Sequence, residues 1–482
     1  MTIRHWALAF LAGCAIASCA GGGPGGVSGM LPSAPDAGKK SAAIQHIIIV
    51  IQENRSFDNL FATFPGADGT TTGNAAAMSP SLQKNCPSPV PQATSIPLTK
   101  VSLVGAGFPN NFGEGNDLSH VWSGYQTDLD GGKMDGFDLT GFGPDGSGSP
   151  VCTYPYQYVN PNQIKPYWNM ATQYVLADHM FQTQGSGTFT AHQDLIAGGT
   201  QIDSTDSVID NPTWFPWGCD SLKSTVTSLI TTSLKYREDQ GPHPCFTYYT
   251  MRDLLDAAGV SWKYYAMAVQ KPGGAQHGDT PGIWSAFDAI QAVRYSKEWG
   301  TNVTKSNLQI FKDIKNGALP AVSWITPDAQ NSDHPQERVK GKLVDTGPSW
   351  VASIVNAVGK SQYWNSSAIV IVWDDWGGFY DHESPALIDD LGGLGFRVPM
   401  LVVSPYVTPH VEHTQYEFGS ILHFIEDNWN LGSLHTTDER ATSIGNIFTY
   451  GHKPHPFKPL AAKYSQSFFL NQTPSGVAPD AE

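Results

Sequence analysis

The stretch His46-Ile-Ile-Ile-Val-Ile-Gln-Glu-Asn-Arg-Ser-Phe-Asp58 decides the fold of this chain. Its unbroken apolar run, residues 47–51, predicts a parallel strand that is buried on both faces. An acidic residue and a carboxamide, Glu53 and Asn54, follow almost at once. Because ligands bind at the carboxyl ends of the strands in open α/β sheets, this pair is expected to lie at a binding site.

A second segment far downstream repeats this arrangement. Ala368-Ile-Val-Ile-Val-Trp373 is another buried-strand pattern, and it ends in Asp374 and Asp375, which two glycines follow closely. Two strand ends of this kind can converge on one hard cation, for which carboxylate and amide oxygens are suitable ligands. The alternative interpretation is that these acids cap the helices that follow them.

Helical and strand patterns alternate along the rest of the chain. Residues 250–259 predict a helix with a capping Thr and a terminating Gly, and residues 261–266 predict the strand after it. Residues 349–358 predict a helix that leads into the second buried strand. The predicted fold is α/β, with a central, mostly parallel sheet covered by helices on both faces. Residues 66–115 and 202–243 lack a clear period and are expected to be long loop insertions.

The net charge of the chain indicates which classes of partner it can bind. The 482 residues include 28 Lys and Arg against 43 Asp and Glu, a net charge of −15, and no basic patch is visible. Nucleic-acid binding is therefore not expected. A phosphate-bearing substrate is not excluded, because a bound cation can reverse the field locally.

The N-terminus has the pattern of an export signal. A short apolar stretch, residues 6–17, follows Arg4 and is too short to span a membrane as a helix. Ile16-Ala-Ser-Cys19 resembles a bacterial lipoprotein box, in which the Cys becomes the acylated first residue. Leu11-Ala-Gly-Cys14 fits that box better in letters but would leave an unusually short signal. Cys19 is the preferred anchor, and plain secretion is the third alternative.

These observations give a domain layout. Residues 1–18 are expected to be a signal peptide of the lipoprotein type, and residues 19–43, which are rich in Gly, Pro and Ser, a flexible tether. Residues 44–470 are expected to form a single catalytic domain, followed by a tail over residues 471–482.

Four cysteines remain once the two at the N-terminus are set aside: Cys86, Cys152, Cys219 and Cys245. An even number in an exported protein favours two disulfides over free thiols, and no Cys-x-x-Cys spacing supports a metal site. Three pairings are possible. We expect the pairing of sequence neighbours, Cys86 with Cys152 and Cys219 with Cys245.

The Glu-Asn-Arg-Ser-Phe-Asp segment after the first strand resembles the signature of the phospholipase C / acid phosphatase phosphoesterases, a family of the alkaline-phosphatase-like superfamily. The resemblance covers about residues 44–434. Further segments match in the family's order: Asp117-Leu-Ser-His-Val-Trp122, Met134-Asp-Gly-Phe137, Gly187-Thr-Phe189 with Ala197-Gly198, Ser332-Asp-His-Pro335, Trp373-Asp-Asp-Trp-Gly-Gly-Phe-Tyr-Asp-His382 and Val398-Pro-Met-Leu-Val-Val-Ser-Pro405.

The resemblance implies a nucleophile. In the family, a Ser or Thr attacks phosphorus and also binds the metal, and the matching position here is Thr188. The family usually has Pro before the nucleophile and Pro-Asn shortly after it, where this chain has Gly187, Thr190 and Ala191. Ser186 is therefore a rival nucleophile, and an ordinary helix-capping Thr is the non-catalytic alternative.

The resemblance also implies a metal site and two acid–base residues. Its ligands would be Glu53, Asn54, Thr188, Asp374 and Asp375, an oxygen-rich set that suits one divalent ion, Ca²⁺, Mg²⁺ or Mn²⁺ rather than Zn²⁺. His120 and His334 match family histidines that would bind the phosphoryl oxygens and protonate the leaving alcohol.

The sequence thus predicts an exported phosphoesterase, a metal-assisted hydrolase that passes through a phosphothreonine intermediate. Its substrate is left open between a phospholipid headgroup diester and a small phosphomonoester. A partner membrane would be reached through the N-terminal lipid anchor. The alternative from another class is a surface binding lipoprotein on a catalytically degenerate scaffold of the same kind.

Overall fold

The computed structural model describes residues 43–76, 83–84, 86, 95–103, 117–143, 148, 151–269, 281–335, 338–339, 342–343, 345–387 and 393–478. The expected signal peptide, the two candidate anchor cysteines (Cys14 and Cys19) and nearly all of the tether lie outside the described residues.

Eight strands form the main sheet. In chain order they are β1 (His46–Gln52), β2 (Val175–Ala177), β3 (Trp262–Tyr265), β4 (Val303–Thr304), β5 (Val322–Ile325), β6 (Ser367–Trp373), β7 (Met400–Val403) and β8 (His410–Glu412). Their spatial order is β4-β3-β5-β1-β6-β7-β2-β8. Only β7 runs antiparallel to its neighbours, and every other pair in this sheet is parallel. The predicted, mostly parallel sheet is confirmed.

Helices and small sheets surround this sheet. The described α-helices are α1 (Phe57–Phe61), α2 (Trp122–Leu129), α3 (Lys165–Gln173), α4 (Thr188–Ala197), α5 (Met251–Ala257), α6 (Gln291–Arg294), α7 (Glu298–Thr301), α8 (Gln309–Lys315), α9 (Gly347–Gly359), α10 (Phe418–Trp429), α11 (Thr437–Arg440) and α12 (Gln466–Leu470). Small sheets pair Thr72–Gly73 with Ile96–Pro97, Thr99–Val101 with Gln157–Val159, Arg338–Val339 with Lys342–Leu343, and Asp206–Ile209 with Ser228–Thr231 and Tyr236–Arg237.

The pairing of β1 with β6 sets the geometry of the molecule. The two strands run parallel over seven residues each, from His46 opposite Ser367 to Gln52 opposite Trp373. All of β6 is buried, and so is all of β1 after His46, so helices or loops cover both faces of the sheet. Because the strands end in register, the residues that follow them emerge side by side at one edge.

The predicted local elements are largely where the sequence places them. Helix α5 has a capping box between Thr250 and Asp253, and Gly259, with φ +67°, lies just beyond its end. The helix predicted over residues 349–358 begins two residues earlier, at Gly347, because Pro348 is well tolerated in a first helical turn. The insertion over residues 202–243 contains a small antiparallel sheet, whose strands of two to four residues are too short to give a periodic signal.

Two disulfides join the insertions to the rest of the chain. Cys86 is bonded to Cys152, and Cys219 to Cys245. The predicted pairing of sequence neighbours is confirmed. Among the residues that the structure describes, no helix is both long and apolar enough to cross a membrane.

A buried charge network lies beside the sheet, around Arg397. The Arg397 guanidinium lies over the ring of Phe57, at 4.4 Å from its centroid, and donates from Nε to Asp381 Oδ1 at 3.0 Å. His382 lies next to this pair, with its Nδ1 at 2.7 Å from Asp58 Oδ2. Burial alone would lower the pKa of His382, but the hydrogen bond and charge of Asp58 outweigh it and raise that pKa to about 9.

This network predicts a pH-dependent stability. A histidine whose pKa rises from 6.5 to about 9 on folding stabilises the fold fully below pH 6.5, and this contribution is lost as the pH rises through 9. The melting temperature of the wild type should therefore fall between these two pH values, measured by thermal unfolding. His382→Gln should show a shallower fall, and parallel curves for the two proteins would contradict the assignment.

Candidate active site

The four acidic and amide residues that follow β1 and β6 meet at the carboxyl edge of the sheet. Glu53, Asn54, Asp374 and Asp375 are all fully buried. The Asn54 backbone N–H donates to Asp374 Oδ1 at 3.0 Å, which joins the two strand ends directly. The turn after β6 requires glycine, because Gly377 has φ +61° and a Cβ there would lie 2.5 Å from the Asn54 carbonyl oxygen.

Two oxygens at this edge have no hydrogen-bond donor within the described part of the chain. They are Asn54 Oδ1 and Asp374 Oδ2, both fully buried. A buried carboxylate or amide oxygen without a donor is costly unless a cation takes the donor's place. The donor set therefore fits a divalent metal ion, which agrees with the oxygen-rich site that the sequence predicts.

A further histidine, His192, which is not among the residues predicted from the sequence, lies against the same oxygens. The Nε2 atom of His192 is 3.2 Å from Glu53 Oε1 and 3.7 Å from Asp374 Oδ2. His192 is fully buried and belongs to helix α4. Its spacing of four residues from Thr188, which places both on one helix face, is the sequence signal that would have found it.

Thr188 opens helix α4 and faces the acids. It is the first residue of the helix rather than its cap, a position that Gly187 holds. The Thr188 hydroxyl donates to Asp375 Oδ2 at 3.3 Å, and Asp375 Oδ1 in turn accepts the Gly377 backbone N–H at 2.7 Å. The hydroxyl is thus directed at one of the two strand-end acids.

Ser186, the rival nucleophile, is engaged elsewhere. Its Oγ accepts the backbone N–H of Asp210 and donates to the Asp210 carboxylate, both at 2.9 Å. The next residue, Asn211, accepts the Phe189 backbone N–H at 3.1 Å. The insertion over residues 202–243 therefore holds the start of helix α4, and it holds Ser186 with it.

His120 contacts the site directly. Its Nδ1 donates to the Leu118 carbonyl oxygen at 2.7 Å, so its Nε2 accepts the Asn54 side-chain N–H at 3.1 Å. Its Nε2 also lies 3.9 Å from Asp375 Oδ2. These contacts tie His120 to both strand ends.

His334 joins the site through Asp117. The Asp117 Oδ2 atom is 3.3 Å from His334 Nε2 and 3.9 Å from His120 Nδ1. Asp117 lies three residues before His120 in the matching segment and is not among the residues that the sequence predicts for the site. The structure thus brings together every residue that the sequence predicts for the site and adds Asp117 and His192.

Buried polar residues fix the loop that carries His334. The Gln52 side chain, at the end of β1, accepts the Asp333 backbone N–H at 2.9 Å and donates to the Asn331 carbonyl oxygen at 3.2 Å. Arg55 Nε donates to the Asp333 carbonyl oxygen at 2.8 Å. Burial raises the pKa of the Asp333 carboxyl to about 6, although Tyr167 donates to it at 2.6 Å.

Two bacterial phospholipases C are similar in sequence to this chain. Phospholipase C B of Mycobacterium tuberculosis (strain ATCC 25618 / H37Rv) is 26% identical over 455 residues, which span 86% of this chain and 80% of that protein. The non-hemolytic phospholipase C of Pseudomonas aeruginosa is 23% identical over 454 residues, 84% of this chain and 56% of that protein.

Two solved structures are distantly similar. A protein in the alkaline phosphatase superfamily from Vibrio parahaemolyticus covers 74% of this chain, and the match spans 72% of that chain, with 11% identity and a TM-score of 0.32. The phosphonate monoester hydrolase from Silicibacter pomeroyi covers 61% of this chain, and the match spans 73% of that chain, with 9% identity and a TM-score of 0.31.

The sequence profile of the Phosphoesterase family matches residues 44–432. This range includes both strand ends, helix α4 and both histidine-bearing segments. It is also close to the range over which the motifs resemble the phospholipase C / acid phosphatase group. The chain therefore belongs to the Phosphoesterase family and is a hydrolase of phosphate esters.

Proposed function

We propose that this protein is an exported, metal-assisted phosphoesterase that cleaves its substrate through a covalent phosphothreonine at Thr188. The observation that carries the proposal is the hydrogen bond from the Thr188 hydroxyl to Asp375, beside the buried acids of both strand ends. A hydroxyl held by a carboxylate has a base to receive its proton.

The divalent ion would be held by Glu53, Asn54, Asp374, Asp375 and Thr188. When bound, it would neutralise charge on the phosphoryl oxygens and lower the pKa of the Thr188 hydroxyl. The reason to expect a cation here is that the buried Asn54 Oδ1 and Asp374 Oδ2 atoms have no hydrogen-bond donor among the described residues.

The reaction can be written in two balanced steps. The Thr188 oxygen bonds to phosphorus and passes its proton to Asp375, while the bond from phosphorus to the leaving oxygen breaks. The leaving oxygen takes a proton from His334, which Asp117 positions, while His120 holds the Asn54 side chain. Water then attacks phosphorus and passes one proton to His334, while the bond from phosphorus to the Thr188 oxygen breaks and that oxygen takes back its proton from Asp375.

The substrate class that we favour is a phospholipid headgroup diester, because the named relatives are phospholipases C. The test is an assay of the purified protein on phosphatidylcholine vesicles and on p-nitrophenyl phosphate, each with a series of divalent metals. Turnover of the phosphomonoester alone would reassign the substrate class. Vesicle binding without turnover by any metal-loaded form would favour the binding lipoprotein.

The metal site predicts the behaviour of Asp374→Asn. The change keeps the shape of the side chain but removes the charge, so metal bound after gel filtration, measured by mass spectrometry, should be lost. Turnover should fall by at least ~10³-fold.

Asp194→Asn is the matched control for this variant. Asp194 is a buried acid on helix α4, and burial raises its pKa well above the usual range, so the neutral amide resembles its native form. It should keep its metal and its turnover. Full metal binding by Asp374→Asn would show that the metal site is misplaced.

The nucleophile predicts the behaviour of Thr188→Ala. Turnover should fall by at least ~10³-fold because the attacking oxygen is removed, and Thr188→Ser should keep part of it. Acid quenching of the wild type with substrate should trap a phosphorylated peptide that contains Thr188. Ser186→Ala is the control and should still form this species, whereas phosphate trapped on Ser186 would refute the assignment.

We also propose a lipid anchor at Cys19, in an oxidising compartment that the two disulfides suit. Cys19→Ser should release the protein from the membrane fraction, measured by fractionation and by the mass of the mature N-terminus, whereas Cys14→Ser should not. Unchanged fractionation of Cys19→Ser would favour cleavage at Cys14 or plain secretion.

A further inference from the structure

The distances from His192 to the acids of the proposed metal site are close to those between two ligands of one ion. Two atoms that bind one ion at about 2.1 Å lie about 3.0–3.4 Å apart in octahedral or tetrahedral geometry. The distance from His192 Nε2 to Glu53 Oε1 is 3.2 Å, within this span, and the distance to Asp374 Oδ2 is 3.7 Å, a little above it. One ligand atom from each of Glu53, His192 and Asp374 lies within 4.8 Å of the other two, so these residues form a buried group that could hold one ion.

The contact of the other ring nitrogen, Nδ1, determines which tautomer of His192 faces the acids. The Tyr264 hydroxyl donates its single proton to the Trp284 carbonyl oxygen at 2.8 Å. The contact of 3.3 Å between this hydroxyl and His192 Nδ1 then requires Nδ1 to be the donor. The lone pair of the neutral ring accordingly lies on Nε2, towards Glu53 and Asp374.

This arrangement matches the way proteins orient histidine ligands. A metal-bound imidazole commonly donates its second N–H to a fixed acceptor, which sets the tautomer and the ring plane. Here the acceptor is a buried tyrosine on strand β3. In addition, Thr188 and His192 lie four residues apart on helix α4, so one rigid element presents both side chains to the same edge of the sheet.

We propose that His192 binds the metal ion of this site through Nε2, with Tyr264 as its positioning residue. This inference rests on the proposed metal-assisted function. An imidazole nitrogen suits Zn²⁺, whereas Ca²⁺ and Mg²⁺ take oxygen ligands. The site should therefore select a transition-metal ion, and Zn²⁺ becomes a better candidate than the oxygen ligands alone indicate.

Metal affinity tests this assignment without any assay of activity. The full chain is freed of metal with a chelator and titrated calorimetrically with Zn²⁺, Mn²⁺, Mg²⁺ and Ca²⁺. The wild type should bind Zn²⁺ and Mn²⁺ more tightly than Mg²⁺ and Ca²⁺. His192→Gln should lose at least ~100-fold in Zn²⁺ affinity and much less in Ca²⁺ affinity.

Two further variants separate a ligand from a merely structural residue. Tyr264→Phe should weaken Zn²⁺ binding by about 10-fold, because the ring keeps its place but loses the acceptor that orients His192. His46→Gln is the matched control: His46 lies at the amino end of β1, with Nδ1 at 2.8 Å from the Pro320 carbonyl oxygen, and its loss should leave metal affinity unchanged.

A spectroscopic measurement covers the case in which His192→Gln does not fold. Pulsed electron paramagnetic resonance of the Mn²⁺-loaded wild type should show coupling to a directly bound ¹⁴N nucleus. The same coupling should remain in Mn²⁺-loaded His120→Gln, because the ring of His120, which also contacts Asn54, is not its source. Absence of this coupling would overturn the assignment and would leave His192 as an ion-pair partner of the acids.

The failures of the two proposals can be told apart. Zn²⁺ affinity that stays within about 3-fold in a folded His192→Gln, while Asp374→Asn loses its metal, would overturn only the role of His192. A wild type that binds none of the four cations would overturn the metal-assisted function and this inference together.

Discussion

The in-register, parallel pairing of β1 with β6 is the constraint on which the rest of the structure depends. Seven residues of each strand are paired, and they end opposite one another at Gln52 and Trp373. The next residues of both strands then meet within hydrogen-bond distance at one edge of the sheet. A shift of one residue in this pairing would turn each side chain to the other face of the sheet. The same register therefore has to bury both faces of the strands and bring the polar residues together at the edge.

The polar edge concentrates negative charge where water is excluded. Three carboxylates, those of Glu53, Asp374 and Asp375, lie fully buried just after the ends of two paired strands. Such a group is unfavourable to fold unless positive charge or donors compensate it. The surrounding elements supply donors from backbone amides and from the Thr188 hydroxyl. A bound cation would complete this compensation, so metal binding and stability are expected to be coupled.

The sequence was informative where a pattern is local. Apolar runs predicted β1 and β6, the acids after them predicted the polar edge, and the cysteine count with sequence order predicted both disulfides. His192 was missed because its role depends on Glu53, which is 139 residues away in the chain, and on the hydroxyl of Tyr264. The small sheet within residues 202–243 was missed because its strands are too short to show alternation. Residues 471–478, expected as a tail, contact the segment just before Asp333, which no local pattern signals.

Asp210 and Asn211 hold the start of helix α4 by hydrogen bonds, and these contacts bear on how the activity of the enzyme can diverge. Helix α4 carries Thr188 and His192, so an insertion at the periphery helps to position both the proposed nucleophile and the proposed histidine ligand. A change in this insertion is therefore expected to alter cation affinity and turnover together. Divergence of activity within this scaffold can then begin at the periphery, through the contacts that hold helix α4, without any change at the strand ends.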